Sequence, residues 1–181
     1  VLVRLTATGL CHSDELLVTG DLPIPLPVVG GHEGAGPVVE VGAGVENVAE
    51  GDSVILTFLP SCGHCSYCAR GMGNMCDLGA ALMMGPQIDG TYRFHARGED
   101  VGQMCPLGTF SEYTLVPKAA RATLDTRTPL DKAGLTRCRV PIAYRSAGRA
   151  RQARPGDPAG GRRAGGTRQQ DRRGHRNVSC L

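Results

Sequence analysis

The sequence predicts a mainly β domain with short helices, and two observations carry that expectation. Residues 28–54 are short Val-rich runs broken by glycine turns, and the stretches Val1–Thr6 and Thr109–Val116 alternate apolar and polar residues like half-buried strands. A chain of 181 residues suffices for one domain with a sizeable core, or for one domain and part of a second.

Each element follows in order. Val1-Leu2-Val3-Arg4-Leu5-Thr6 opens in mid-strand without an initiator Met, as a chain starting inside a domain would. Residues 21–27, Asp-Leu-Pro-Ile-Pro-Leu-Pro, lack too many backbone donors for a helix or central strand and read as an extended surface loop. Pro37-Val38-Val39-Glu40-Val41 is a strand that ends at the Gly42-Ala43-Gly44 turn, and Gly51-Asp52 turns the chain into Ser53-Val54-Ile55-Leu56. Short strands joined by glycine turns suit a barrel or sandwich. Residues 79–108 are rich in Gly and Met with little periodicity, hence loops with short elements, and the Met83-Met84 pair reads as local packing. The run Thr109–Val116 is a strand stopped by Pro117, and residues 129–136 begin a helix with Asp131 and Lys132 on its polar side.

Charge divides the chain. Residues 1–144 carry 10 Lys+Arg against 15 Asp+Glu, net −5; residues 145–181 carry 10 Arg against 2 Asp, net +8. Beyond Arg145 the apolar content collapses to alanines plus Val178, Cys180 and Leu181, too little to offset the entropy of ordering, so a disordered tail is expected there. There is no apolar run of about eighteen residues, so no membrane span is expected. Eight cysteines without a secretory signal pattern point to metal ligation in a reducing cytoplasm rather than to disulfides.

Cys62, Cys65, Cys68 and Cys76 form a C-x2-C-x2-C-x7-C run. Four thiolates on neighbouring turns can meet at one tetrahedral zinc, with a bond length of about 2.3 Å, and a fully coordinated ion is structural. Gly63 and Gly71 let the backbone wrap tightly, and Arg70 can offset part of the thiolate charge. A disulfide pair or unconnected buried thiols are the alternative readings. Two shorter motifs precede this lobe, Gly9-Leu10-Cys11-His12-Ser13-Asp14-Glu15 and Gly30-Gly31-His32-Glu33-Gly34-Ala35-Gly36. Each is weak alone, but their order ahead of a four-cysteine lobe is specific.

On these motifs the sequence resembles the zinc-dependent medium-chain alcohol dehydrogenases, from Val1 to about Asp157. Val18-Thr19-Gly20-Asp21-Leu22-Pro23 and the long 79–108 segment leading into Thr109-Phe110-Ser111-Glu112-Tyr113 look most like the actinobacterial branch assayed with nitroso-dimethylaniline as electron acceptor. The resemblance implies a GroES-like barrel catalytic domain over residues 1–120 with the structural zinc lobe at about 61–77. A connection toward a cofactor domain follows over 121–157, then an Arg/Gly-rich tail over 158–181. It implies that Cys11, His32 and Cys138 ligate a catalytic zinc, that Glu33 sits beside the metal and exchanges with water as a ligand, and that Asp14 orients His32. His12 would lie near the cofactor pyrophosphate. Two thiolates and an imidazole leave a fourth position open, as a catalytic zinc requires. The implied reaction is oxidation of a small alcohol to an aldehyde or ketone. Ser13 takes the hydroxyl proton, and hydride passes to NAD. Where many members carry a histidine at the outer end of the proton relay, this chain has Leu16. Family members usually form homo-oligomers.

The resemblance breaks at its C-terminal end. The family continues its third ligand as G-C-G-V-x-T-G-x-G, whereas this chain reads Arg137-Cys138-Arg139-Val140-Pro141-Ile142-Ala143-Tyr144-Arg145. The glycines of residues 158–166 lack both the apolar strand before them and the helix after them that a phosphate-binding loop needs. A Rossmann domain is thus expected to be missing or unfolded, the chain to be inactive by itself, and the tail to be a reading-frame product of a gene shortened at both ends. The competing reading is a zinc-binding module whose basic tail contacts nucleic acid or another polyanion. The acidic balance of residues 1–144 and the lack of aromatic stacking residues in the tail disfavour it.

Overall fold

The strands are short because glycine and proline interrupt every Val-rich run. The computed structural model describes residues 1–138, 140 and 141. The chain divides into two units, Val1–Arg137 and Cys138–Leu181, and every strand among the described residues belongs to the first. The expectations for the connection beyond Pro141 and for the tail, Cys180 included, lie outside the described residues.

In chain order the elements are β1 (Leu2–Arg4), β2 (Ala7–Thr8), α1 (His12–Thr19), β3 (Val28–Val29), β4 (Gly34–Glu40) and β5 (Ser53–Leu56). There follow α2 (Ser66–Ala69), β6 (Phe94–Ala96), β7 (Glu99–Gln103), β8 (Tyr113–Leu115), β9 (Arg121–Thr123) and α3 (Leu130–Ala133). Turns of 3-10 helix at Gly73–Met75, Asp77–Ala81, Lys118–Ala120 and Gly134–Thr136 link them. The main sheet runs β8-β1-β4-β5-β9, with β2 added to the other end of β4; a smaller sheet runs β3-β7-β6. All pairs are antiparallel except β3 with β7.

Alternation decides which side chains enter the core. Leu2 pairs with Glu40 but Val3 with Val38, so Val39 is an extra residue in β4 and bulges outward, while Val38 stays inside. Val3, Val54, Leu56 and Leu107 are wholly buried and pack with Val1, Val38, Val116 and Ala120 into one cluster. Each such Val or Leu contributes about 1.5–3 kcal/mol of burial free energy. A second cluster joins Ile24, Met104 and Cys105, and Phe58 touches both.

Three local expectations change. The proline loop at 21–27 is extended but not wholly on the surface, because Ile24 plugs the second cluster. The strand expected over Thr109–Val116 is confined to Tyr113–Leu115. Its first residues bond elsewhere, Thr109 N–H to the Gly31 carbonyl and Phe110 N–H to the Gly30 carbonyl. Met83 and Met84, expected to be packed locally, are both exposed. The 79–108 stretch is better ordered than its composition suggests. The Gln87 side-chain amide donates to Gln103 Oε1, Pro106 O and Leu115 O, tying the loop to β7 and to β8.

Candidate metal centres

The lobe follows β5 in the chain. Cys62, Cys65, Cys68 and Cys76 each offer a sulfur, and all four lie within 4.8 Å of one another. Zinc ligands at about 2.3 Å would sit roughly 3.8 Å apart. The Cys62–Cys68 and Cys65–Cys76 sulfur pairs are each separated by 4.0 Å, so the donor set fits one ion. Gly63 and Gly71 take positive φ at the two bends of this loop, which only glycine adopts without strain. Backbone N–H groups of Cys62, His64, Cys65 and Cys68 point at the sulfurs at 3.3–3.5 Å. Such donors favour the thiolate, and the Cys65 thiol is pulled down to about 6, first by the backbone N–H of Asp77 and then by that of Cys68. Arg70 is engaged otherwise than charge alone suggested: its Nε donates to Ser66 O and its guanidinium stacks over Tyr67 at 5.2 Å.

The second group is assembled from distant segments. Cys11 is the N-cap of α1, with extended backbone angles. Its N–H donates to Asp14 Oδ2 at 2.7 Å, and Asp14 Oδ1 lies 3.3 Å from His32 Nδ1. One buried carboxylate therefore holds both the Cys11 turn and the His32 ring, and the nitrogen that it leaves to a metal is Nε2. Burial alone would raise the Asp14 pKa, but hydrogen bonds from His32 and the Cys11 N–H and the His32 charge outweigh it, holding the carboxyl below its ordinary value. The Glu33 carbonyl accepts from Thr8 Oγ1, Thr109 Oγ1 and Gly9 N–H, which pins the Glu33-Gly34 peptide at the start of β4. Phe58 presents its ring edge-on to His32, centroids 5.6 Å apart.

Cys11, His32, Glu33 and Cys138 each offer one ligand atom, and these atoms lie within 4.8 Å of one another. His32, Glu33 and Cys138 are buried and Cys11 is half-buried. Two sulfurs, an imidazole and a carboxylate are the soft and borderline donors that zinc takes, so the residues present fit a second ion. Ser13 Oγ lies 4.0 Å from the Cys11 sulfur, beside this group. His12 stands apart, exposed, with Nδ1 2.8 Å from Glu15 Oε2. A cleft of about 750 Å³, lined in part by Ser61, His64, Ile88 and Lys118, lies beside the lobe and includes neither Cys11 nor His32. The sequence did not point to Phe58, Thr8 or Thr109; isolated Thr and Phe residues in strands carry no signal until the fold places them.

Known proteins share the sequence and fold of this domain. Residues 1–125 match the family model for the alcohol dehydrogenase GroES-like domain. Alcohol dehydrogenase B of Mycobacterium tuberculosis H37Rv is 49% identical over 159 residues, covering 87% of this chain and 42% of that protein. The NDMA-dependent alcohol dehydrogenase of Amycolatopsis methanolica is 48% identical over 157 residues, covering 87% and 42%. The crystal structure of an alcohol dehydrogenase zinc-binding domain protein from Burkholderia ambifaria superposes with a TM-score of 0.75 at 36% identity, covering 88% of this chain and 43% of that one. The chain thus spans less than half the length of the relatives it matches. Among the described residues no helix is long and apolar enough to cross a membrane. On its sequence, its sheet topology and its family match, this chain belongs to the zinc-type medium-chain alcohol dehydrogenases, of which it carries the GroES-like domain.

Proposed function

We propose that this chain is the metal-bearing part of an NAD-dependent alcohol dehydrogenase, which oxidises a small alcohol to an aldehyde or ketone. One observation carries the reading: Cys11, His32, Glu33 and Cys138, scattered over 128 positions of sequence, offer ligand atoms within 4.8 Å of one another. Cys11, His32 and Cys138 would hold a catalytic zinc, and the four lobe cysteines a structural one. Bound there, zinc supplies Lewis-acid polarisation of the alcohol oxygen, and NAD supplies the hydride acceptor.

The chain's own residues do the rest. The Cys11 and Cys138 thiolates set a soft, electron-rich donor field. Asp14 fixes the His32 tautomer, so that Nδ1–H faces the carboxylate. Glu33, buried and held against Gly9, stands by as an oxygen donor. Ser13 accepts the proton of the alcohol hydroxyl and passes it outward. Leu16 cannot relay that proton, so its onward path runs through water. His12, exposed on the first turn of α1, is the proposed contact to the cofactor phosphates. Activity requires a cofactor domain to supply the NAD site.

Metal analysis of the purified chain tests this. Two zinc ions per chain are expected, falling to one in Cys11→Ser with the lobe intact. A wild-type chain that retains one zinc, unchanged by Cys11→Ser, would refute the catalytic centre.

A further inference from the structure

The second metal centre has a brace outside its donor set. Arg137 immediately precedes Cys138, and its Nη2 donates to Thr57 Oγ1 at 2.6 Å across 80 positions of sequence. The acceptor is built for this contact. Thr57 is buried, its N–H is committed to the Ala120 carbonyl, and its own hydroxyl proton goes to the Leu59 carbonyl at 3.1 Å. Its remaining lone pairs are thereby aimed rather than rotating. The donor is equally constrained. Arg137 closes the 3-10 turn Gly134–Thr136, which continues α3, and the turn begins on two buried residues, Ala133 and Gly134. A Cβ at Gly134 would come within 3.4 Å of the Ala7 carbonyl, so this turn is seated on β2.

The two ends of the bond belong to two different supports of the site. On one side, Thr57 is followed by Phe58, whose ring meets the His32 imidazole edge-on. On the other, Arg137 is one peptide bond from Cys138. We infer that Arg137 is a positioning residue: its bond to Thr57 sets where the chain enters Cys138 relative to the loop that braces His32, and so sets the spacing of the donor atoms. This inference rests on the metal reading above. A charge-assisted hydrogen bond to a buried hydroxyl fixes this geometry by a side-chain contact.

Cobalt(II) titration against a competing chelator tests it, because a four-thiolate site and a mixed thiolate–imidazole site give distinct charge-transfer and ligand-field bands. Arg137→Met and Thr57→Val are each expected to lower the affinity of the mixed site about tenfold, the low end for an outer partner since Arg137 is itself exposed. The double variant should be no weaker than either single one, since both remove the same bond. Thr57→Ser keeps the hydroxyl and should bind like the wild type, and the lobe bands should not move in any variant. Wild-type affinity in Thr57→Val, losses that multiply in the double variant, or a parallel loss at the lobe would each overturn the brace while leaving the metal reading in place. A wild-type chain that takes cobalt only at the lobe overturns the metal reading itself, and the brace with it.

Discussion

Asp14 shows how much one residue can organise. A carboxylate at the third position of α1 satisfies the N–H of its own N-cap and, with its other oxygen, the ring of a histidine 18 residues away. The pairing with His32 was expected from the family resemblance and is found; the local spacing Cys11-x-x-Asp14 alone would not give it, because nothing local says which imidazole will face the helix. Asp89 is a simpler case, an exposed loop carboxylate. The hydroxyl and then the N–H of Thr91, aided by Arg93, hold its pKa down to about 2. A depressed carboxyl pKa contributes stability that is present above the ordinary value and is lost only as the pH falls through about 2. Exposure of the pair keeps that contribution small, so titration is a better probe than melting. With carboxyl-carbon NMR between about pH 6 and 3, the Asp89 signal should stay still while ordinary aspartates move. In Thr91→Ala it should begin to move within that window.

The elements of this fold are set by close approach as much as by propensity. β4 was expected from Pro37 onward, because valines mark strands and Gly-Ala-Gly does not; the strand in fact begins at Gly34. The reason is that β4 must pass hard against the chain between β1 and β2. A Cβ at Gly36 would stand 1.9 Å from the Arg4 carbonyl oxygen, which is backbone and cannot move aside. Gly36→Ala is therefore expected to destabilise the domain by about 3 kcal/mol or more, a fall in Tm on the order of 10 °C, or to prevent soluble expression. Gly42→Ala is the control: nothing lies within 4 Å of its Cβ position, and its Tm should match the wild type. A small change in Gly36→Ala would show that β4 can slide away from the Arg4 segment.

For the molecule as a whole, the described part is a sheet with an apolar core and a lobe without one. The core holds Val3, Val54, Leu56 and Leu107, whereas Cys76 is the one cysteine of the lobe set that is buried. A lobe without a buried apolar core depends on its ion for order, and metal free energy is then folding free energy. Chelation should expose residues 62–76 to proteolysis while the far-UV circular dichroism of the sheet is retained. Readdition of zinc should restore protection. Loss of the sheet signal in step with cleavage at the lobe would mean that the ion supports the whole domain.

The class of the fold and the lobe were legible along the chain, and the other proposed ligands followed from the family resemblance that its motifs carry. Those signals are local: a C-x2-C-x2-C-x7-C run, a Gly-His-Glu turn and Val-rich strands keep their meaning wherever the chain goes. Folding alone reveals that His32 and Glu33 are also held through Thr8, Thr109 and Phe58, and that Arg137 reaches Thr57. Such contacts, between residues up to 80 positions apart, are fixed by sheet register and packing. No periodicity or motif along the chain encodes them, because their energy exists only once both partners are buried against the same core.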